Sequence, residues 1–156
     1  MNKQILIIVS WIAVILWMAL IFKLSSQPAA QSGKLSTGIT EINIKVIEKV
    51  KPNAKFNIVK FDHMIRKNAH FFVYLVLGVF VENALRRSEI RGYRCIVYSL
   101  LICILYATSD ELHQVFIPGR GAQVKDVFID SAGACVGILV YMIISRKKKI
   151  PVKLRN

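Results

Sequence analysis

From Ile5 to Leu24 the chain is apolar throughout, broken only by Ser10 and, near its end, by Lys23. A helix of about 20 residues is about 30 Å long, the thickness of a bilayer's hydrocarbon core. No other feature restricts the fold as strongly, because such a run has no place on the surface of a small water-soluble domain. It exceeds the apolar core of about 7 to 15 residues found in a signal peptide, and the Ser25, Ser26, Gln27, Pro28 that follow offer no small-residue cleavage site. An uncleaved signal anchor is expected.

Three further blocks make the chain polytopic. The second is strongly apolar only from Phe71 to Val81, and the third only from Cys95 to Thr108. Both are too short to span unless they take in polar neighbours. The fourth, Val127 to Ile144, is long enough but contains Asp130. The expected fold is therefore an all-α membrane protein with four transmembrane helices, at about 5–24, 69–85, 95–115 and 127–145. A loop over 25–68 and a basic tail over 146–156 complete a single domain. Composition agrees: 54% of the 156 residues are hydrophobic and the mean hydropathy is +0.48. The cysteines, Cys95, Cys103 and Cys135, have no CxxC and no His at zinc-ligand spacing, so they read as core residues and no metal set is assigned.

Charge sets the expected orientation. The chain has 22 Lys and Arg against 9 Asp and Glu, a formal net charge of +13. The short loop holds Arg86, Arg87, Arg91 and Arg94 against Glu89, and the tail holds six basic residues from Arg146 to Arg155. By the positive-inside rule both belong in the cytoplasm, which puts both termini there and makes the chain a multi-pass cell-membrane protein. The 25–68 segment is basic too, with eight Lys or Arg against three acids, but a loop of that length weighs less. Within it, Ile39, Ile42, Val46, Ile47 and Val50 recur at helical spacing before Pro52, as in an interfacial amphipathic helix, although Ile42, Ile44, Val46 also suit a strand. The tail reads as an anchor to anionic lipid rather than a nucleic-acid-binding surface.

Polar residues at membrane depth are expensive and should face other helices or a wet cleft. On the second helix Asp62, Arg66, His70, Tyr74 and Gly78 recur every four positions, with Lys67 nearby, while His63 is placed outside the helix. The third ends in Ser109, Asp110, Glu111, Leu112, His113, Gln114, where Tyr106, Asp110, His113 and Gln114 share a face. Pro118 and Gly119 then turn the chain ahead of Arg120. The fourth presents Asp126, Asp130, Gly133 and Gly137 on one stripe, the last two at the GxxxG spacing that lets helices approach closely. Gly92, by contrast, reads as a residue of a solvated loop.

The polar starts of helices 2 and 4 and the polar end of helix 3 thus meet at one membrane face, outside by the topology above. Read functionally, His70, Glu111, His113 and Asp126 are candidates for proton transfer, and Lys67, Tyr74, Asp110, Gln114, Arg120 and Asp130 for substrate binding. Read structurally, the same charges tie three helices together. Glu82, four residues before Arg86, reads as half of an i,i+4 pair near the other face.

The run Arg66, Lys67, Asn68, Ala69, His70, Phe71 with Tyr74 and Gly78, the run Asp110, Glu111, Leu112, His113, Gln114, Val115, Phe116, Ile117, Pro118, Gly119, Arg120, and Asp126, Asp130, Gly133 and Gly137 together resemble the VanZ-like family. The resemblance covers nearly the whole chain and implies a small bacterial membrane protein whose family namesake is associated with low-level resistance to the glycopeptide teicoplanin. It carries over Lys67, His70, Glu111, Gln114, Arg120 and Asp126. Family members often have Asn at the position of Asp130 and a small polar residue at that of Gln123. The function expected is action at the extracytoplasmic face on a membrane lipid or lipid-linked envelope precursor. The alternative is a non-enzymatic protein that shields or sequesters a lipid-anchored ligand or lipoglycopeptide drug. A divalent metal held by histidines and carboxylates is a third reading, and no cofactor is implied.

Overall fold

The computed structural model describes residues 2–28 and 58–147, with backbone alone over 58–66 and at 147. The fold is all-α: α1 Lys3–Ser25, α2 Ile58–Arg87, α3 Tyr93–Gln114 and α4 Val124–Lys147, with no strand among the described residues. Four segments are long and apolar enough to cross a membrane: Lys3–Ser25, Lys67–Arg87, Tyr93–Gln114 and Val124–Arg146. Large apolar side chains such as Ile8, Ile15 and Leu16 stand exposed on α1, as on a helix that faces lipid.

Helix α2 starts at Ile58, well before the expected 69, so His63 is helical. Apolarity marks where a chain can lie in lipid, whereas the four-residue row from Asp62 onward carries the helix further back. The expected amphipathic helix over 39–50 lies outside the described residues.

The helices run up-down-up-down, so α1 and α3 point one way and α2 and α4 the other. The closest pair is α2 and α4. A Cβ added at Gly133 would run into the Phe71 carbonyl, one at Gly137 into that of Leu75, and one at Gly78 into that of Ala134. The GxxxG stripe is therefore a backbone-to-backbone contact, which matters because lipid supplies no hydrophobic drive between helices. Helix α1 packs on α2 and α3 but not on α4. It is held by Trp17 Nε1 donating to the Val73 carbonyl (2.9 Å) and by the Tyr106 hydroxyl donating to the Met18 carbonyl (2.6 Å).

At the end of the bundle where α2 turns into α3, polar groups are matched. Glu82 is fully buried and accepts from Arg86 Nε at 2.6 Å, the expected i,i+4 pair, and from Ser99 Oγ at 2.8 Å. Tyr141 donates to Asn83 Oδ1 at 3.0 Å. The turn closes with Ile90 N bonded to Leu85 O and Glu89 N to Arg86 O, a Schellman motif with Glu89 at φ 68°. Lys3 pairs with Glu89 and holds its carboxyl below the usual range. Gly92 has φ 69° and ψ −150°, a conformation reserved for glycine, so it is a structural residue rather than a neutral loop position.

Gly133→Ala and Gly137→Ala should each lower stability in detergent. Overpacking costs about 1–3 kcal/mol or more when backbone is the obstacle, against about 1 kcal/mol gained in helix propensity. Gly121→Ala, whose Cβ would meet nothing, should leave the thermal melting temperature unchanged. Equal melting of all three variants would refute the α2–α4 contact.

Candidate functional site

At the opposite end of the bundle the C-terminal ends of α1 and α3 meet the start of the second span and the N-terminus of α4. The α3–α4 connection is short because Pro118 and Gly119 turn it: Arg120 N bonds to Ile117 O at 3.0 Å and Gly119 sits at φ 76°, as the third residue of a type II turn requires. A cleft of about 300 Å³ opens here. It is lined by Lys67 and His70 of α2, Gln114 of α3, Asp126, Ile129 and Asp130 of α4, and by Gly119, Arg120, Gly121 and Gln123 of the turn.

Parallel α2 and α4 bring their polar residues together in pairs. Lys67 Nζ lies 2.9 Å from Asp126 Oδ1, with about a quarter of each side chain exposed. His70 Nδ1 lies 3.6 Å from Asp130 Oδ2, too far for a hydrogen bond. Asp130 is fully buried, and among the described residues neither of its carboxylate oxygens has a hydrogen-bond partner.

The face of α3 that carries Tyr106, Asp110, His113 and Gln114 turns mainly to α1. Ser25 Oγ donates to Asp110 Oδ2 at 2.9 Å and accepts from Gln114 Nε2 at 2.9 Å. Ser26 Oγ lies 3.1 Å from His113 Nε2, and the His113 ring tilts against Phe22 with centroids 4.4 Å apart. Of this face only Gln114 reaches the cleft. Glu111, a quarter turn away, is buried and accepts the Gln123 backbone N–H at 2.8 Å, which ties the turn to α3. Tyr74 is fully buried beside Tyr106, and its hydroxyl has no hydrogen-bond partner among the described residues.

The candidates therefore divide. Lys67, His70, Gln114, Arg120, Asp126 and Asp130 line the cleft, Asp110 and Glu111 are buried at its edge, and His113 and Tyr74 stand apart from it. Ser25 was not singled out by the sequence. It lies 85 residues from Asp110, and no periodicity links residues so far apart.

The family model for VanZ/LLP1 matches residues 10–145, a stretch that contains every residue of the cleft. The chain belongs to the VanZ/LLP1 family. No curated protein and no solved structure matches it. In this VanZ/LLP1 member the cleft lining carries two cationic side chains, Lys67 and Arg120, beside His70 and two α4 carboxylates, groups whose chemistry suits anion recognition, proton transfer or cation binding.

Ser25 is the hinge pin between α1 and the site. Ser25→Ala should cost about 1–3 kcal/mol, because buried Asp110 and Gln114 both lose a partner. Chemical or thermal unfolding in detergent measures this, and an unchanged melting temperature would show that the two groups find other partners.

Proposed function

We propose that this VanZ/LLP1 member acts at the extracytoplasmic membrane face on a lipid or lipid-linked envelope molecule, whose anionic head group enters the cleft. The observation that carries this reading is the cleft itself, a polar pocket with two cations at one end of a four-helix membrane domain. Exposed apolar side chains flank its lining in sequence: Leu112, Val115 and Phe116 beside Gln114, and Val124 and Phe128 beside Asp126. A polar slot bordered by apolar surface suits a molecule with a charged head and an acyl or prenyl tail. The outward orientation rests on the short basic Arg86–Arg94 loop, which lies at the far end of the bundle.

In this reading Lys67 and Arg120 take the phosphate or carboxylate, and His70 or Asp126 moves a proton. Glu111 shapes the turn, with its remaining oxygen available as a base. Among the described residues, the cleft lining contains no hydroxyl or thiol side chain that could act as a nucleophile. That favours a second reading, in which the same groups only bind and shield a lipid-anchored ligand. Reduced susceptibility to teicoplanin is the phenotype either form could give.

Two measurements test the proposal. With Gly121→Cys and Arg91→Cys made separately, a membrane-impermeant thiol reagent should label the first in intact cells and the second only after permeabilisation. The reverse pattern would place the cleft inside. Arg120→Gln and Lys67→Gln should each weaken binding of a phospholipid or prenyl phosphate to the purified protein by about tenfold or more, the loss of one charge-assisted contact. Melting temperatures near wild type should accompany that loss. Binding that falls only in step with folding would leave a structural charge network in place of a site.

A further inference from the structure

We infer that His70, Asp110 and Asp130 form a binding site for one divalent transition-metal ion, zinc or manganese, at the edge of the cleft. Each of the three offers a donor atom, one imidazole nitrogen and two carboxylate oxygens, and these atoms all lie within 4.8 Å of one another. A zinc ion about 2.0–2.2 Å from each donor holds tetrahedral ligands about 3.4 Å apart. The 3.6 Å between His70 Nδ1 and Asp130 Oδ2 is close to that edge length. Small side-chain rotations would bring in the third donor.

Burial and hydrogen bonding point to a ligand independently of the spacing. Among the described residues, fully buried Asp130 has no hydrogen-bond partner for either carboxylate oxygen, and Asp110, 3% exposed, has none for Oδ1. Such groups are costly unless something satisfies them. The far end of the bundle shows the contrast, since both oxygens of buried Glu82 are bonded.

Asp110 is also arranged as a ligand is. Ser25 Oγ and, more distantly, Gln114 Nε2 (3.5 Å) engage Oδ2, which fixes the carboxylate and leaves Oδ1 free to coordinate. Lys67, on the same cleft lining, is engaged by Asp126. Two carboxylates and a neutral imidazole balance a divalent charge, and a mixed nitrogen and oxygen donor set suits zinc or manganese better than magnesium or calcium. Three protein donors leave a coordination position open, and His70 and Asp130 line the cleft, so that position can face whatever enters. The site does not depend on which molecule that is.

The test uses the full chain, purified in detergent without an affinity tag, stripped with a chelator and dialysed against zinc or manganese chloride. Elemental analysis should return about one ion per chain for one of the two metals, as a single closed donor set requires. Asp130→Asn should lose it, and Ser25→Ala should weaken it by about 10- to 100-fold, the usual cost of removing a group that orients a ligand. Asp126→Asn, in the same cleft but outside the triad, should retain it. No stoichiometric metal in the wild type, or equal metal in wild type and Asp130→Asn, overturns the inference. X-ray absorption of the metal-loaded wild type needs no variant: nitrogen and oxygen scatterers at about 2.0–2.2 Å support it, and a sulfur shell at about 2.3 Å assigns the ion to cysteine and overturns it. All of this is read without lipid or drug, so failure here leaves the envelope-lipid proposal to its own test.

Discussion

The close approach of α2 and α4 sets everything else in this bundle. In lipid, two helices gain little by hiding apolar side chains from each other, so contact has to come from fit. Gly78, Gly133 and Gly137 provide it by letting backbone meet backbone. Because the two helices are parallel, their contacts recur along the length of both. Phe71 meets Gly133 and Leu75 meets Gly137, and toward the N-terminal ends of the two spans Lys67 comes to Asp126 and His70 to Asp130. The cleft is thus an extension of the glycine contact. A side chain at either glycine of α4 would push the helices apart and open the polar pairs above it.

The two ends of the bundle treat buried charge differently. Around Glu82 every oxygen is used, by Arg86 and Ser99, and Asn83 and Tyr141 join alongside. Around Asp130 and Asp110, three carboxylate oxygens have no hydrogen-bond partner. Leaving a buried polar group unsatisfied costs about 1–3 kcal/mol, more when it is charged. On the proposed reading, the second arrangement is that of a site whose buried acceptors are completed by a ligand. Ion-pair networks that only hold helices together resemble the Glu82 end.

Much of this was legible in the sequence, for reasons that are local. The four spans follow from apolar length, the Glu82–Arg86 pair from i,i+4 spacing, and the Gly133–Gly137 contact from a small-residue stripe. That the polar ends of helices 2, 3 and 4 share one face follows from the alternating direction of successive spans. What could not be read depends on distance along the chain. Helical spacing places Tyr106, Asp110, His113 and Gln114 on one face but does not say what that face meets, and it meets α1. Ser25 reads in the sequence as the first residue of the 25–68 loop, because its partners lie beyond any periodic signal. The start of α2 at Ile58 was missed because hydropathy reports lipid exposure and not helicity. Gly92 looked like a free loop residue, although its backbone angles admit little else.

The Lys67–Asp126 pair decides whether the cleft can exchange partners. Both side chains are about a quarter exposed, and an ion pair in such a position is worth about 0–1 kcal/mol once solvent screening and side-chain entropy are counted. An entering phosphate or carboxylate offers Lys67 a comparable partner, and with Arg120 on the same lining it gains a second cation. Displacing Asp126 would leave its carboxylate within the cleft beside the bound group, a like-charge contact that the two lining cations have to offset. The Glu82–Arg86 pair has no such freedom, since fully buried Glu82 would be left uncompensated at a cost of about 3–5 kcal/mol. One pair of charges is poised to part and the other is not. On the proposed reading, that difference is what makes one end of the bundle a binding face and the other a fastening.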